Sequence, residues 1–196
     1  MRGEWDKLTN FWDGAVYLVD DSADNAAIER CLQGDQDAYE SVVLRYQRSL
    51  FNVAFRMLGS YEDARDATQT AFVKAYEHLD SFDRGQRFCN WMYRILRNEC
   101  LNIIRARRPE TEVSPDLSAA RGADPVETSE RERAIKLALK SLSVDYREVL
   151  VLRHFTELSY DEIAATLGIS ATTVKSRLYT ARQHLSDLLV DWRVTR

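Results

Sequence analysis

The chain has 196 residues, with 27 basic and 31 acidic side chains, a formal net charge of −4 and 45% hydrophobic residues. That suits a soluble globular protein able to bury one good core or two small ones. No apolar run approaches the roughly 18 residues a membrane span needs, and the amino terminus is acidic and aromatic where a secretory signal would be basic and then apolar, so a cytoplasmic protein without membrane insertion is expected.

Residues 1–24 carry Trp5, Phe11, Trp12 and Tyr17 among acids and read as a loosely packed extension, with a competing role as a cover over a basic DNA-binding face. Helices dominate from there. Asp35 stands as the cap of a long helix whose Tyr39, Val42, Val43, Tyr46, Leu50, Val53 and Met57 share a face, and Gly59 ends it. Ser60 with Asp63 starts a second helix running to about Leu79, with Ala64, Ala67, Ala71, Phe72, Ala75 and Leu79 inward. After the loop DSFDRGQR, a third helix spans about Phe88 to Arg108.

Successive residues placed about 100 degrees apart put Phe88, Met92, Ile95, Leu96 and Ile103 on the packing side of that third helix. The opposite side holds Arg94, Arg97, Arg105 and Arg108, with Trp91, Asn98 and Asn102 along the border. Cations for phosphates, a ring for base stacking and amides for base edges are the chemistry of single-strand binding.

All three prolines fall within residues 109–129, PETEVSPDLSAARGADPVETS, which reads as an extended acidic linker. Beyond it, LSYDEIAATLGISATTVKSRLYTARQHL carries the start and stop signals of a helix-turn-helix. Ser159 and Glu162 form a capping box, Gly168 permits the left-handed turn, and Ser170 caps the next helix. Val174, Leu178, Ala181 and Leu185 face inward. Ala171, Thr172, Thr173, Lys175, Ser176, Arg177, Tyr179 and Arg182 form the outer face, which suits a recognition helix in a major groove.

Charge follows this division. Residues 38–108 carry 12 basic and 8 acidic side chains, net plus 4, and residues 129–196 carry 11 and 9, net plus 2. Residues 1–37 carry 3 and 9, net minus 6, and residues 109–128 carry 1 and 5, net minus 4. Two mildly basic blocks beside acidic connectors fit a bipartite nucleic-acid binder. Cys31, Cys89 and Cys100 show no CxxC pairing, and His78, His154 and His184 are scattered singly. No disulfide framework, metal site, cofactor or catalytic constellation is indicated, so no enzyme is expected. The fold class is all-α, with two small helical domains over residues 25–108 and 129–196 joined by a flexible acidic linker, residues 109–128.

These motifs resemble the extracytoplasmic-function (group IV) sigma-70 family of bacterial RNA polymerase sigma factors. DAYESVVLRY, DARDATQTAFVKAY and FCNWMYRILRNECLNIIRARR are similar to the family's region 2, and LSVDYREVLVLRHFTELSYDEIAATLGISATTVKSRLYTARQHL to its region 4. The resemblance implies docking on core polymerase through Asp63, Asp66, Gln69 and Phe72. It implies minus-10 melting and capture by Ser81, Phe82, Asp83, Arg84, Arg87, Trp91, Tyr93, Arg94 and Asn98. Minus-35 reading would rest on Ala171, Thr172, Thr173, Lys175, Ser176, Arg177 and Arg182. The implied partners are the largest and second-largest subunits of core polymerase, promoter DNA and an anti-sigma factor. A stand-alone helix-turn-helix regulator is the alternative, which leaves the Trp91/Asn98 stripe without a purpose. One departure is Arg65, a cation where the family often has an acid. Another is Thr70, also at a commonly acidic position, where phosphorylation would restore negative charge.

Overall fold

A computed structural model describes residues 21–107, 130–156 and 158–194. The aromatic extension up to residue 20, the linker prolines and Arg108 lie outside the described residues. Among those described, every regular element is helical. In the first domain these are α1 (Asp21–Leu32), α2 (Ala38–Leu58), α3 (Tyr61–Glu77) and α4 (Phe88–Ala106), with a short 3₁₀ turn at Leu79–Ser81. In the second they are α5 (Glu130–Ser141), α6 (Val144–Phe155), α7 (Tyr160–Leu167) and α8 (Ala171–Val194).

Helix α1 is not anticipated by the sequence reading, and the boundary expected at residue 24 falls inside it. Its periodicity is weak because only Asp24, Ala27 and Ile28 are buried. Asp24 is held by Arg45 and by the hydroxyl of Tyr46, both on α2. Burial pushes its carboxyl above the ordinary range, although both partners oppose that shift.

Helix α2 begins at Ala38, later than expected. Asp35 still contributes, since its carboxylate accepts the Ala38 N–H at 3.3 Å and also pairs with Arg30 at 2.6 Å. Val42, Tyr46, Leu50, Val53 and Met57 are buried, as their spacing predicts. Gly59 closes the helix at φ 67° and donates to the Phe55 carbonyl. Helix α3 starts at Ser60, whose hydroxyl accepts from Asp63 N–H at 3.4 Å. Its inner face is built of Ala64, Ala67, Ala71 and Ala75, small enough for α2 and α4 to pack closely on either side.

Helix α4 buries a wider arc than the projection indicated. Phe88, Met92 and Leu96 are inside, but so are Cys89, Tyr93 and Cys100, while Ile95 and Ile103 are half-buried. The arc is wide because α2 and α3 both pack on this helix.

The second domain follows the local signals closely. Ser143 caps α6, accepting Tyr146 N–H at 3.4 Å. The Ser159/Glu162 capping box opens α7, Gly168 ends it at φ 69°, and Ser170 accepts the Thr173 N–H at 3.1 Å. Val149, Leu150, Ile163, Val174, Leu178, Ala181 and Leu185 form the core.

The two domains pack on each other, with α6 and α5 against α2, and α7 against α4. Arg56 lies over the Phe155 ring, 4.0 Å from its centroid, and Lys136 lies 5.0 Å from that of Phe55.

Candidate nucleic-acid interface

The aromatic part of the first domain's reader is a stack of three rings. Phe82 meets Phe88 edge-on at 5.2 Å, and Trp91 tilts against both at 5.3 and 5.6 Å. Phe82 and Phe88 are buried, whereas Trp91 is half-buried. A ring supported from beneath and partly open above is a stacking platform with little rotamer freedom left to lose. Arg94 is half-exposed and Asn98 exposed on the same helix.

Three residues expected at the surfaces lie in the core instead. Phe72 and Phe82 are 8% and 6% exposed, and Tyr93 is 5% exposed with its hydroxyl 2.6 Å from that of Ser49 on α2. They shape the surface from beneath. The resemblance alone implies a surface role for Tyr93, and a helical projection fixes relative angles but not the limits of the buried arc that takes it in.

The loop before α4 is organised by Asp83. Its carboxylate accepts the Gly85 N–H at 2.9 Å and the Gln86 amide at 3.2 Å, and these bonds hold its pKa low. Ser81 and Arg84 are exposed on this loop. Arg87, at its end, points away from open solvent. Its guanidinium bonds Asp21 at 3.1 Å and Glu162 of α7 at 2.6 Å, and the Glu162 bond raises its pKa.

Helix α3 presents the face expected to meet polymerase, and it is partly self-neutralised. Asp66 and Gln69 are exposed and Asp63 and Thr70 half-exposed. Asp63 is ion-paired with Arg107, and Arg65 lies 3.3 Å from Asp66. The departure at Arg65 therefore places a cation directly on one of the two acids.

In the second domain Thr172, Lys175, Ser176 and Tyr179 are exposed, and Ala171, Thr173, Arg177 and Arg182 half-exposed. Arg177 pairs with Asp145 of α6 at 2.7 Å and lies 3.8 Å from Glu148. Arg153 and Lys175 sit 5.3 and 5.9 Å from the centroid of the Tyr160 ring, bringing a further exposed cation to this face. Arg153 ends the apolar run of α6, so nothing local marks it as a surface reader. Glu148 and Glu162 are likewise missed: one reads as a helix acid, the other only as a cap. Glu162 titrates at about 2; burial pushes it up, but bonds from Ser159 and Arg87 outweigh that.

A helical bundle followed by a helix-turn-helix defines an all-helical, two-domain DNA-binding protein. The profile of Sigma-70 region 2 matches residues 42–110 and that of Sigma-70 region 4 matches residues 132–185. Among curated relatives, the chain is 33% identical over 178 residues to the ECF RNA polymerase sigma factor SigW of Bacillus subtilis, covering 84% of this chain and 95% of that one. It is 34% identical over 178 residues to the ECF RNA polymerase sigma-E factor of Escherichia coli, covering 84% and 93%. Among solved structures, CnrH in complex with the cytosolic domain of CnrY matches with a TM-score of 0.70 at 30% identity, covering 87% and 99%. The sigma factor RpoE in complex with the anti-sigma factor NepR, from Bartonella quintana, matches with a TM-score of 0.61 at 28% identity, covering 77% and 96%. The chain belongs to the sigma-70 family, in its extracytoplasmic-function group, and acts as an RNA polymerase sigma factor in transcription initiation. Its relatives are sigma factors, which are not enzymes. No described helix is long and apolar enough to cross a membrane.

Proposed function

We propose that the first domain docks on the largest polymerase subunit through Asp63, Asp66 and Gln69 of α3, with Phe72 supporting that face from inside. The opened minus-10 strand is then held by Trp91, Arg94 and Asn98, with Ser81, Arg84 and Arg87 on the flanking loop. The second domain reads minus-35 duplex through Ala171, Thr172, Thr173, Lys175, Ser176, Arg177 and Arg182, adds Arg153 as a backbone cation, and meets the second-largest subunit. The protein works in the cytoplasm and is a target for an anti-sigma factor. It supplies recognition, while the bond chemistry belongs to the polymerase.

The observation that carries this reading is the half-open Trp91 ring, braced by Phe82 and Phe88 at 5.3 and 5.6 Å on the helix that also bears Arg94 and Asn98. A duplex-only regulator has no use for a base-stacking platform, whereas a protein that captures an unstacked base requires one. The test is transcription by bacterial core polymerase with the full chain on a promoter library. Initiation at a defined promoter class is expected, and initiation no better than core alone overturns the reading.

A further inference from the structure

Three cations in and beside the α4 stripe are occupied by the second domain. Arg87 donates to the Glu162 carboxylate at 2.6 Å. Arg97 donates through two nitrogens to the two oxygens of Glu148, at 2.8 and 3.3 Å. Arg94 donates to the Ala165 carbonyl at 3.4 Å. A carboxylate that takes two guanidinium nitrogens in parallel presents nearly what a phosphate would present.

Each carboxylate is also anchored in its own domain. Glu162 accepts the Ser159 N–H at 2.8 Å as half of the capping box, so its position is fixed by α7. Glu148 is 2% exposed and lies 3.8 Å from Arg177 of the recognition helix. One buried carboxylate therefore neutralises a cation from each reader. The anions are built in, rigid and aimed at the side chains that a nucleic-acid backbone would use.

We propose that Glu148 and Glu162 form an internal latch that stands in for DNA phosphates, closing the second domain over the α4 stripe so that the free protein keeps its two readers engaged with each other. The proposal rests on the assignment of that stripe to the opened strand. Separation rehydrates guanidinium and carboxylate together, so the latch releases at a smaller cost than loss of a single partner would carry. A partner that binds only the separated domains shifts the population by its preference for that state.

The test uses the full chain without polymerase, carrying Glu148→Gln and Glu162→Gln together. Glutamine keeps the shape and can still close a capping box, which protects the fold of α7. Binding of a fluorescent single-stranded DNA is measured by anisotropy and the radius of gyration by small-angle scattering. A Glu29→Gln/Glu40→Gln variant makes the same charge change on exposed residues away from the interface. The latch variant should bind the strand about tenfold more tightly and be larger than wild type, with the control near wild type. Unchanged dimensions and affinity overturn the latch, as does a gain no larger than the control's. Adding Arg94→Ala and Arg97→Ala to the latch variant tests the underlying reading separately: undiminished strand binding there removes the stripe assignment itself. Should the double variant fail to fold, Glu162→Gln alone, at the less buried of the two carboxylates, is measured in the same way, and unchanged dimensions and strand affinity overturn the latch.

Discussion

The Arg147 guanidinium on α6 donates to the carbonyl of Met57 at 2.7 Å, linking residues 90 apart in the chain and in different domains. Its remaining nitrogens serve the carbonyls of Leu139, Lys140 and Leu142 at 2.7 to 2.9 Å. No carboxylate is among these acceptors. Carbonyls gathered where α5 and α2 end supply the negative dipole ends that hold a cation only 9% exposed.

Replacing Arg147 by Met should therefore lower stability by about 2–4 kcal/mol, since four carbonyls lose their donor in a buried setting. Arg147→Lys should recover less than half of that, because an ammonium cannot fork to four acceptors. Urea unfolding of the full chain measures both, and equal stability of the Met variant and wild type would count against this assignment.

Gly168 sits at φ 69° with open space around the site of a β-carbon. Gly168→Ala should cost about 1–2 kcal/mol from backbone conformation alone, without a steric clash. Thermal unfolding reads the loss, and duplex binding at temperatures where the variant is folded should be retained.

His154 is half-buried, with its Nε2 turned inward and without a hydrogen-bond partner. Burial first, then the nearby Arg182 and Arg153, lowers its pKa from 6.5 to about 4. The unfolded chain thus binds the proton more readily, so stability should fall as pH drops from about 6.5 toward 4. Glu162 adds its own loss only lower, between its ordinary 4.5 and about 2. In urea titrations between pH 7 and 5, His154→Leu should show a flatter stability profile than wild type; parallel profiles would refute the assignment.

Trp91→Ala should weaken binding of unpaired minus-10 strand by about fivefold or more, since a stacked base is worth about 1–3 kcal/mol. Trp91→Phe should keep most of the affinity. Duplex minus-35 binding should be the same in all three proteins, which separates loss of the platform from general unfolding.

Arg177 pairs with Asp145 at 2.7 Å on the face proposed to read the minus-35 duplex. Arg177→Ala should reduce minus-35 affinity by about tenfold, the range of a good base or phosphate contact. Asp145→Asn should move the other way by freeing the cation. Electrophoretic mobility shift with a minus-35 duplex checks both, and equal effects of the same sign would contradict the pairing.

The helix-turn-helix was legible because its determinants are local. Ser159, Glu162, Gly168 and Ser170 act within a few residues of one another, and the turn forms as they predict. The alanine face of α3 was legible for the same reason. The position of Tyr93 was not, because its burial depends on Ser49, 44 residues away on a different helix. Helix α1 is not legible because it buries only Asp24, Ala27 and Ile28, and the partners of Asp24 lie 21 and 22 residues further on.

Sequence by itself thus determined the helices, their caps, the separation into two basic blocks and the residue types each block offers. Tertiary structure alone decided which cations are free. Arg94 and Arg97 read as part of one open stripe, with Arg87 on the loop before it, yet Arg87 and Arg97 meet carboxylates and Arg94 a carbonyl on α6 and α7. Local spacing records which side chains share a helix face, while charge pairing depends on what the rest of the chain brings within about 4 Å.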